Sequence, residues 1–278
     1  MLAMLLFQAM DAMAKWLVKA DISAVQVIAV RSWMMLAMIL LVLALRGKLS
    51  LLRTQKPSTH ALRGLLAFFA PFFYFTALKD LPLADATVIF FSATFILTAA
   101  SALFFAERVG WHRWGAVAVG FVGVIVAMNP QGGGDITGYL MVLVATSIYA
   151  ILFLVGKHLS REDSVIALVF WINLGMGVVA SAALPWYWVD MSTGILFKLF
   201  LMTAVALAAH YALTAAFSRA EVSAIAPFEY SALIWAALLG YLIWLEIPST
   251  NLWIGAAIIV CSGIYVIHRE SLAARAAA

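Results

Sequence analysis

The chain contains a second copy of itself. The stretch from Leu83 to Glu107 recurs from Val222 to Glu246, each copy opening after a short polar bend and closing an apolar run on Glu. At one constant shift Ala77 meets Ala216, Ser92 meets Ser231, Ala93 meets Ala232, Leu103 meets Leu242 and Glu107 meets Glu246. One inserted residue later, Gly115 meets Gly255, Ala116 meets Ala256, Gly123 meets Gly263 and Val126 meets Val266. A weaker echo ties Lys15, Leu17, Lys19, Asp21 and Arg31 to Lys157, Leu159, Arg161, Asp163 and Asn173, so the whole first half recurs. Two copies of one unit are expected to fold as two similar halves, 1–132 and 133–270, followed by a short tail 271–278.

Those halves cannot fold in water. Hydrophobic residues make up 66% of the 278 positions and charged ones only 11%, with mean hydropathy +1.06, far too little charge to cover a soluble globule. The chain therefore reads as an integral membrane protein. Its 17 basic and 13 acidic residues fall between apolar runs instead of on an aromatic-flanked patch, which argues against a nucleic-acid partner and for membrane orientation. The lone Cys261 excludes an intramolecular disulfide and a multi-cysteine metal site, and the five histidines are scattered, so no metal or other cofactor is expected. The first 20 residues lack the basic start and cleavage site of a signal peptide and carry Asp11 and Lys15 in their middle, so they are read as a first span.

A helix crossing the hydrocarbon needs roughly 20 mainly apolar residues. Ten runs qualify, at about 2–19, 23–45, 62–79, 84–106, 111–129, 136–157, 164–188, 195–218, 222–245 and 249–268. With the N-terminus inside, the inner segments hold Arg46, Lys48, Arg53, Lys56, Arg63, Arg108, Arg113, Lys157, Arg161, Arg219, Arg269 and Arg275, against only Lys19, Lys79 and Lys198 outside. Cytoplasmic loops collect such residues, so both termini are expected in the cytoplasm and the protein in the inner membrane. Five is odd, so the second half enters the bilayer from the opposite side. The expected fold is all-α, ten transmembrane helices as two five-helix inverted-topology repeats around a central cavity.

Polar side chains inside the spans are costly and mark candidate sites. Gln8, Asp11 and Lys15 fall within about 60° of one another on the first helix. Asp11 and Lys15 have the spacing of a helix ion pair, and Lys15 is read either as snorkelling to the outer headgroups or as a solute ligand. Arg31, deep in the second span, carries an insertion cost of roughly 2.5–3.5 kcal/mol. It is expected to face inward, clamping Asp11 or offering its fork to a carboxylate. Thr87, Phe91, Thr94, Thr98 and Ser101 form a face of the fourth span; Thr203, His210 and Thr214 form one on the eighth; Thr146, Tyr149, Phe153 and Lys157 form one on the sixth. Threonines that bond their own helix carbonyls are the structural alternative. In the ninth span Pro227 interrupts the helix beside Glu229, a candidate proton carrier, ammonium ligand or structural partner of His210 or Arg31. Tyr74, Tyr149 and Tyr230 lie mid-span, whereas Trp111, Trp186, Tyr187 and Trp188 read as interfacial belt. Spans five and ten read as packing or dimer contacts, the fifth carrying Ala116/Gly120 and Gly123/Ala127 at small-xxx-small spacing.

With the run from Asp11 to Arg31, the segment Ala226-Pro227-Phe228-Glu229-Tyr230 leading to Leu245-Glu246-Ile247-Pro248, and the trailing Gly255-Ala256 to Gly263, the chain resembles the ten-helix, two-repeat EamA-type branch of the drug/metabolite transporter superfamily over almost its whole length. The resemblance implies a carrier for small organic solutes, with a central cavity lined mainly by spans 1, 3, 4, 6, 8 and 9 and with spans 5 and 10 outside. The first repeat departs from the second, having Val88 and Phe90 where Pro227 and Glu229 stand.

Catalysis is not expected, since no Gly-x-Ser-Gly run accompanies His210 and Asp11 stands alone as the Asp in the middle of a span, whereas an aspartyl mechanism needs two. The expected function is alternating-access transport, with export of apolar or aromatic amino acids and similar compounds as the leading reading. Export of organic cations or drugs, a channel, and a non-transporting membrane protein are the alternatives. The expected solute site comprises Asp11, Lys15, Arg31, Tyr74, Phe91, Thr94, Thr98, Tyr149, His210, Glu229 and Tyr230, in a monomer or homodimer surrounded by lipid.

Overall fold

The computed structural model describes residues 1–105, 110–129, 136–159, 163–217 and 225–277, and among these all regular structure is helical. The helices are α1 (Leu2–Lys19), α2 (Ala24–Leu45), α3 (Pro57–Ala77), α4 (Leu83–Phe90), α5 (Ala93–Phe105), α6 (Trp111–Met128), α7 (Ile136–Leu159), α8 (Val165–Tyr187), α9 (Thr193–Phe217), α10 (Ser231–Trp244) and α11 (Thr250–Ala277). Helices α4 and α5 are two halves of one crossing. A 3₁₀ turn at Ala226–Tyr230 leads into α10 and completes the ninth crossing. Glu107, Arg108, the break from Pro130 to Asp135, Arg161 and Arg219 fall outside the described residues, as do the side chains of Lys157 and Arg275.

Eight crossings among the described residues are long and apolar enough to span a bilayer. Helices α1 and α3 fall short in apolarity because α1 carries Asp11, Lys15 and Lys19, and α3 opens on the polar stretch from Pro57 to Arg63. Both nonetheless run for a full crossing, 18 and 21 residues, and lie against other helices. The result is a ten-helix, all-α membrane protein. Two boundaries differ from the sequence expectation. Helix α3 starts at Pro57 instead of about 62, because proline is preorganised for a first helical position whose N–H needs no partner. Helix α11 continues to Ala277, because the tail is rich in the strong helix formers Ala, Leu and Arg.

The packing repeats with the sequence. Helix α3 lies against α7 as α9 lies against α1, and the α4/α5 crossing meets α7 as α10 meets α1. Helices α2 and α8, equivalent members of the two halves, pack on each other, as do α6 and α11. Small residues allow these approaches: a Cβ on Gly64 of α3 would stand 2.7 Å from Gly175 Cα of α8, and one on Gly123 of α6 would stand 3.0 Å from Gly255 O of α11. The small-residue pattern of the fifth and tenth spans therefore packs those helices on each other.

Both copies break their fourth helix at the same place. In the first, Phe91 N–H reaches both Thr87 O and Val88 O, and Ser92 N–H reaches Ile89 O at 3.0 Å, a local tightening between α4 and α5. In the second, the tightened turn ends at Tyr230, just before Ser231, the repeat partner of Ser92. Pro227 accounts for the second break by removing a backbone donor. The first copy breaks without a proline.

Polar contacts stitch the halves together at each membrane face. On the face holding Lys19, Ser23 Oγ donates to Tyr187 O at 3.0 Å and Gln26 Nε2 to Val189 O at 2.6 Å. On the opposite face, that of Arg46, Thr54 Oγ1 donates to Asp163 Oδ2 at 2.8 Å, His60 Nε2 lies 2.7 Å from the same oxygen, and Trp171 Nε1 donates to Leu52 O at 3.0 Å.

Candidate functional site

Asp11, Arg31 and Tyr74 come together inside the bundle, all three buried. Each is set by the helix that carries it: Asp11 sits at the middle of α1, Arg31 two turns into α2, and Tyr74 near the end of α3. Tyr74 Oη donates to Asp11 Oδ2 at 3.3 Å, and the Arg31 guanidinium is within electrostatic reach of that carboxylate. Arg31 Nε is buried without an acceptor. A guanidinium has five N–H donors, so a neighbouring carboxylate leaves part of its fork available. Its repeat partner Asn173 donates to Val169 O at 2.8 Å and has its Oδ1 unsatisfied. Beside this group, Thr87 Oγ1 donates to Gln8 Oε1 at 3.2 Å, and the His210 ring meets Phe7 edge to face at 5.0 Å with Arg31 in reach.

An aromatic cluster adjoins it. Phe90 stands between Tyr74 and Tyr149, with ring centroids 5.7 and 5.0 Å away. Phe91 and Tyr230 meet at 5.0 Å, Tyr230 bonds Thr94, and Glu229 lies within electrostatic reach of Tyr149 and Tyr230. Tyr149 thus faces other helices of the bundle, yet 43% of it is accessible. His210 is likewise interior-facing and exposed. Tyr149 and His210 are therefore accessible side chains on the interior side of their helices, and burial loosens where α4 ends: α4 is buried from Leu83 to Ile89, whereas Thr94, Ile96 and Leu97 of α5 are half-buried.

Lys15 is placed elsewhere. It is not the partner of Asp11 and does not snorkel; it is fully buried, pairs with Glu246 and donates to Leu81 O at 2.7 Å. Desolvation makes a solitary ammonium there untenable, and the Glu246 carboxylate, delivered from the far end of α10, offsets it. Delivery depends on Leu245, whose left-handed φ of 58° turns the chain sharply at the helix end and costs about 1–2 kcal/mol for a non-glycine residue. Glu246 Oε2 also accepts the Leu83 N–H at 2.9 Å, and Tyr139 Oη donates to the adjacent Asp85 at 2.6 Å.

Several threonines take the structural alternative. Thr98 donates to Thr94 O, Thr146 to Val142 O, Thr203 to Leu199 O and Thr214 to His210 O, each within its own helix. Sequence reasoning missed Phe90, Asp85 and Tyr139, and it recognised Glu246 as a repeat terminus without its partner. The signal for Glu246 was present, since a carboxylate closing both copies near a membrane face invites a search for the nearest cation.

The chain is similar to known membrane transporters over most of its length. The EamA-like transporter family matches residues 1–129 and again 136–268. An S-adenosylmethionine uptake transporter of Rickettsia bellii (strain RML369-C) is 30% identical over 222 residues, covering 80% of this chain and 76% of that protein. A riboflavin transporter of Vibrio cholerae is 30% identical over 229 residues, covering 81% and 76% respectively. The pseudopaline exporter CntI of Pseudomonas aeruginosa is 26% identical over 268 residues, covering 95% and 92%. A solved crystal structure superposes with a TM-score of 0.61 at 18% identity over 95% of each chain, a likeness of fold. A duplicated ten-helix membrane fold with an interior polar site, matched by one family in both of its halves, is a transporter and not an enzyme: the chain belongs to the EamA-like transporter family.

Proposed function

We propose that this transporter carries a zwitterionic, amino-acid-like solute with an aromatic or apolar side group, and that S-adenosylmethionine is the first such solute to test. The observation that supports it is the buried trio of Asp11, Arg31 and Tyr74 beside the rings of Phe90, Tyr149, Phe91 and Tyr230. Arg31 takes the carboxylate with the donors that Asp11 leaves available, and Asp11 or Glu229 takes the ammonium. The rings enclose the side group and favour a cationic or flat one through their negative faces. S-adenosylmethionine combines the amino-acid head, a sulfonium and a flat base, and relatives named for its uptake lend support. Apolar and aromatic amino acids share the head and a simpler side group.

The carrier exchanges solute by rocking around this midplane site, with direction set by the solute gradients. By the distribution of Lys and Arg it sits in a bacterial inner membrane with both ends in the cytoplasm. Counterflow in proteoliposomes tests the reading. Labelled S-adenosylmethionine should exchange against itself and against phenylalanine or methionine, and adenosine, which lacks the zwitterion, should not compete. Equal exchange of adenosine and S-adenosylmethionine would remove the zwitterion from the proposal.

A further inference from the structure

We propose that Lys15 and Glu246 form a lock that holds one face of the transporter shut and has to open in every cycle, so that Lys15 is a gating residue and not a solute ligand. The inference rests on the carrier reading given by the family and is independent of which solute is carried.

The lock joins the two halves. Lys15 comes from α1 and also holds Leu81 O of the turn before α4; Glu246 comes from the end of α10 and also holds the N–H of Leu83, the first residue of α4. The ammonium lies 4.9 Å from the Trp244 ring centroid, which closes one side. Asp85 of α4, within electrostatic reach of both charges, is held by Tyr139 of α7, a second tie across the halves. Every residue from Leu83 to Ile89 is buried beneath this network, which seals the Lys19 face. Gly240 makes room for the acid, since a Cβ there would stand 3.0 Å from Glu246 Oε2.

Rocking that opens this face has to draw α1 and α4 away from α10 and hence separate the pair. Breaking it exposes both charges to water, which repays part of the Coulomb energy lost, so the pair can hold the closed state without trapping it. Removing Glu246 leaves Lys15 buried and unpaired in the closed state only, removing Lys15 leaves the half-buried Glu246 without its cation there, and either change shifts the population toward opening.

The test reads conformation directly. Ala84, 3% exposed and next to the lock, is replaced by Cys in a Cys261→Ser background and labelled with a membrane-impermeant maleimide applied separately to each side of proteoliposomes. Glu246→Gln and Lys15→Met should each speed labelling from the Lys19 side roughly tenfold, with no gain from the other side. Lys15→Arg keeps the charge and should label like the parent. The double variant Lys15→Met/Glu246→Gln leaves no orphan charge, so it should fold where either single variant fails, and it should label quickly as well. Labelling rates of the neutral variants equal to the parent overturn the proposal. So does a gain on both sides, which marks loosened packing. Because no solute is added, a failure here leaves the solute assignment standing, and a failed counterflow leaves the lock standing.

Discussion

The rings of Phe91 and Tyr230 meet edge to face, centroids 5.0 Å apart and planes inclined at 74°. They are the same position in the two copies, at the shift that aligns Ser92 with Ser231. A residue can touch its own repeat partner only where the relating axis passes, so this contact lies on the axis that relates the two copies, and both neighbouring helices break there. A stability cycle of Phe91→Ala, Tyr230→Ala and the double variant in detergent should give a coupling of about 0.5–1.5 kcal/mol beyond the single effects. Strict additivity would mean that the rings are merely neighbours. Tyr230→Phe keeps the ring and removes only the hydroxyl bonded to Thr94, so it should change stability far less than Tyr230→Ala.

Asp11 and Arg31 predict an asymmetric pair of variants. Asp11→Asn leaves Arg31, buried inside the bundle, without the carboxylate in its electrostatic reach and should cost about 1–3 kcal/mol of stability. Tyr74→Phe removes a single long hydrogen bond of 3.3 Å and should cost about 1 kcal/mol or less. Melting temperatures in one detergent rank the two, and equal shifts would show that Asp11 and Arg31 are not a working pair. In counterflow, Arg31→Lys should weaken carboxylated solutes selectively, because an ammonium lacks the planar fork. Equal loss for neutral solutes would make Arg31 structural.

The sequence carried the crossings, the duplication and most of the interior polar residues, because each leaves a local mark. Apolar length shows a span, a constant shift shows a repeat, and a charge such as Arg31 in an apolar run shows a buried face. Pairings between distant residues leave no such mark. Lys15 had Asp11 four residues away and its actual partner Glu246 at the far end of the chain, and nothing in spacing favours the distant acid. Phe90 was passed over because a phenylalanine in a membrane helix is ordinarily packing, and only the fold shows it standing between Tyr74 and Tyr149. The break at Phe91 was hidden for a similar reason, since without a proline its cause lies in tertiary packing.

The crossing of α3 and α8 was equally silent in sequence, and it makes a sharp prediction. Gly64 and Gly175 lie backbone to backbone, and a Cβ on either would press into the other's Cα, which no side-chain rotation relieves. Glycine usually weakens a helix, so substitution at an open site would stabilise it. Here Gly64→Val should instead destabilise by about 1–3 kcal/mol through overpacking. Gly115, where a Cβ meets nothing within 4 Å, is the control, and Gly115→Ala should be neutral or stabilising. Similar losses at the two sites in thermal melts would refute the close approach.

On the Arg46 face, Asp163 ties the turn before α8 to the start of α3 and should make the fold sensitive to acid. Burial alone would raise its pKa, but hydrogen bonds from His60 and Thr54, with the charges of His60 and Lys56, outweigh that and hold the carboxyl below its ordinary value. A carboxylate whose folded pKa is depressed contributes stability that is fully present above the unfolded pKa of about 3.9 and is lost as pH falls through the lower, folded value. Asp163→Asn removes that contribution at neutral pH, so the variant should melt below the parent at pH near 7. The gap should narrow progressively below about pH 4 as the parent's own carboxylate takes up its proton. Melting curves across this range decide the matter: a gap that stays constant down to the lowest pH would show that the loss comes from packing around position 163 and not from the charge.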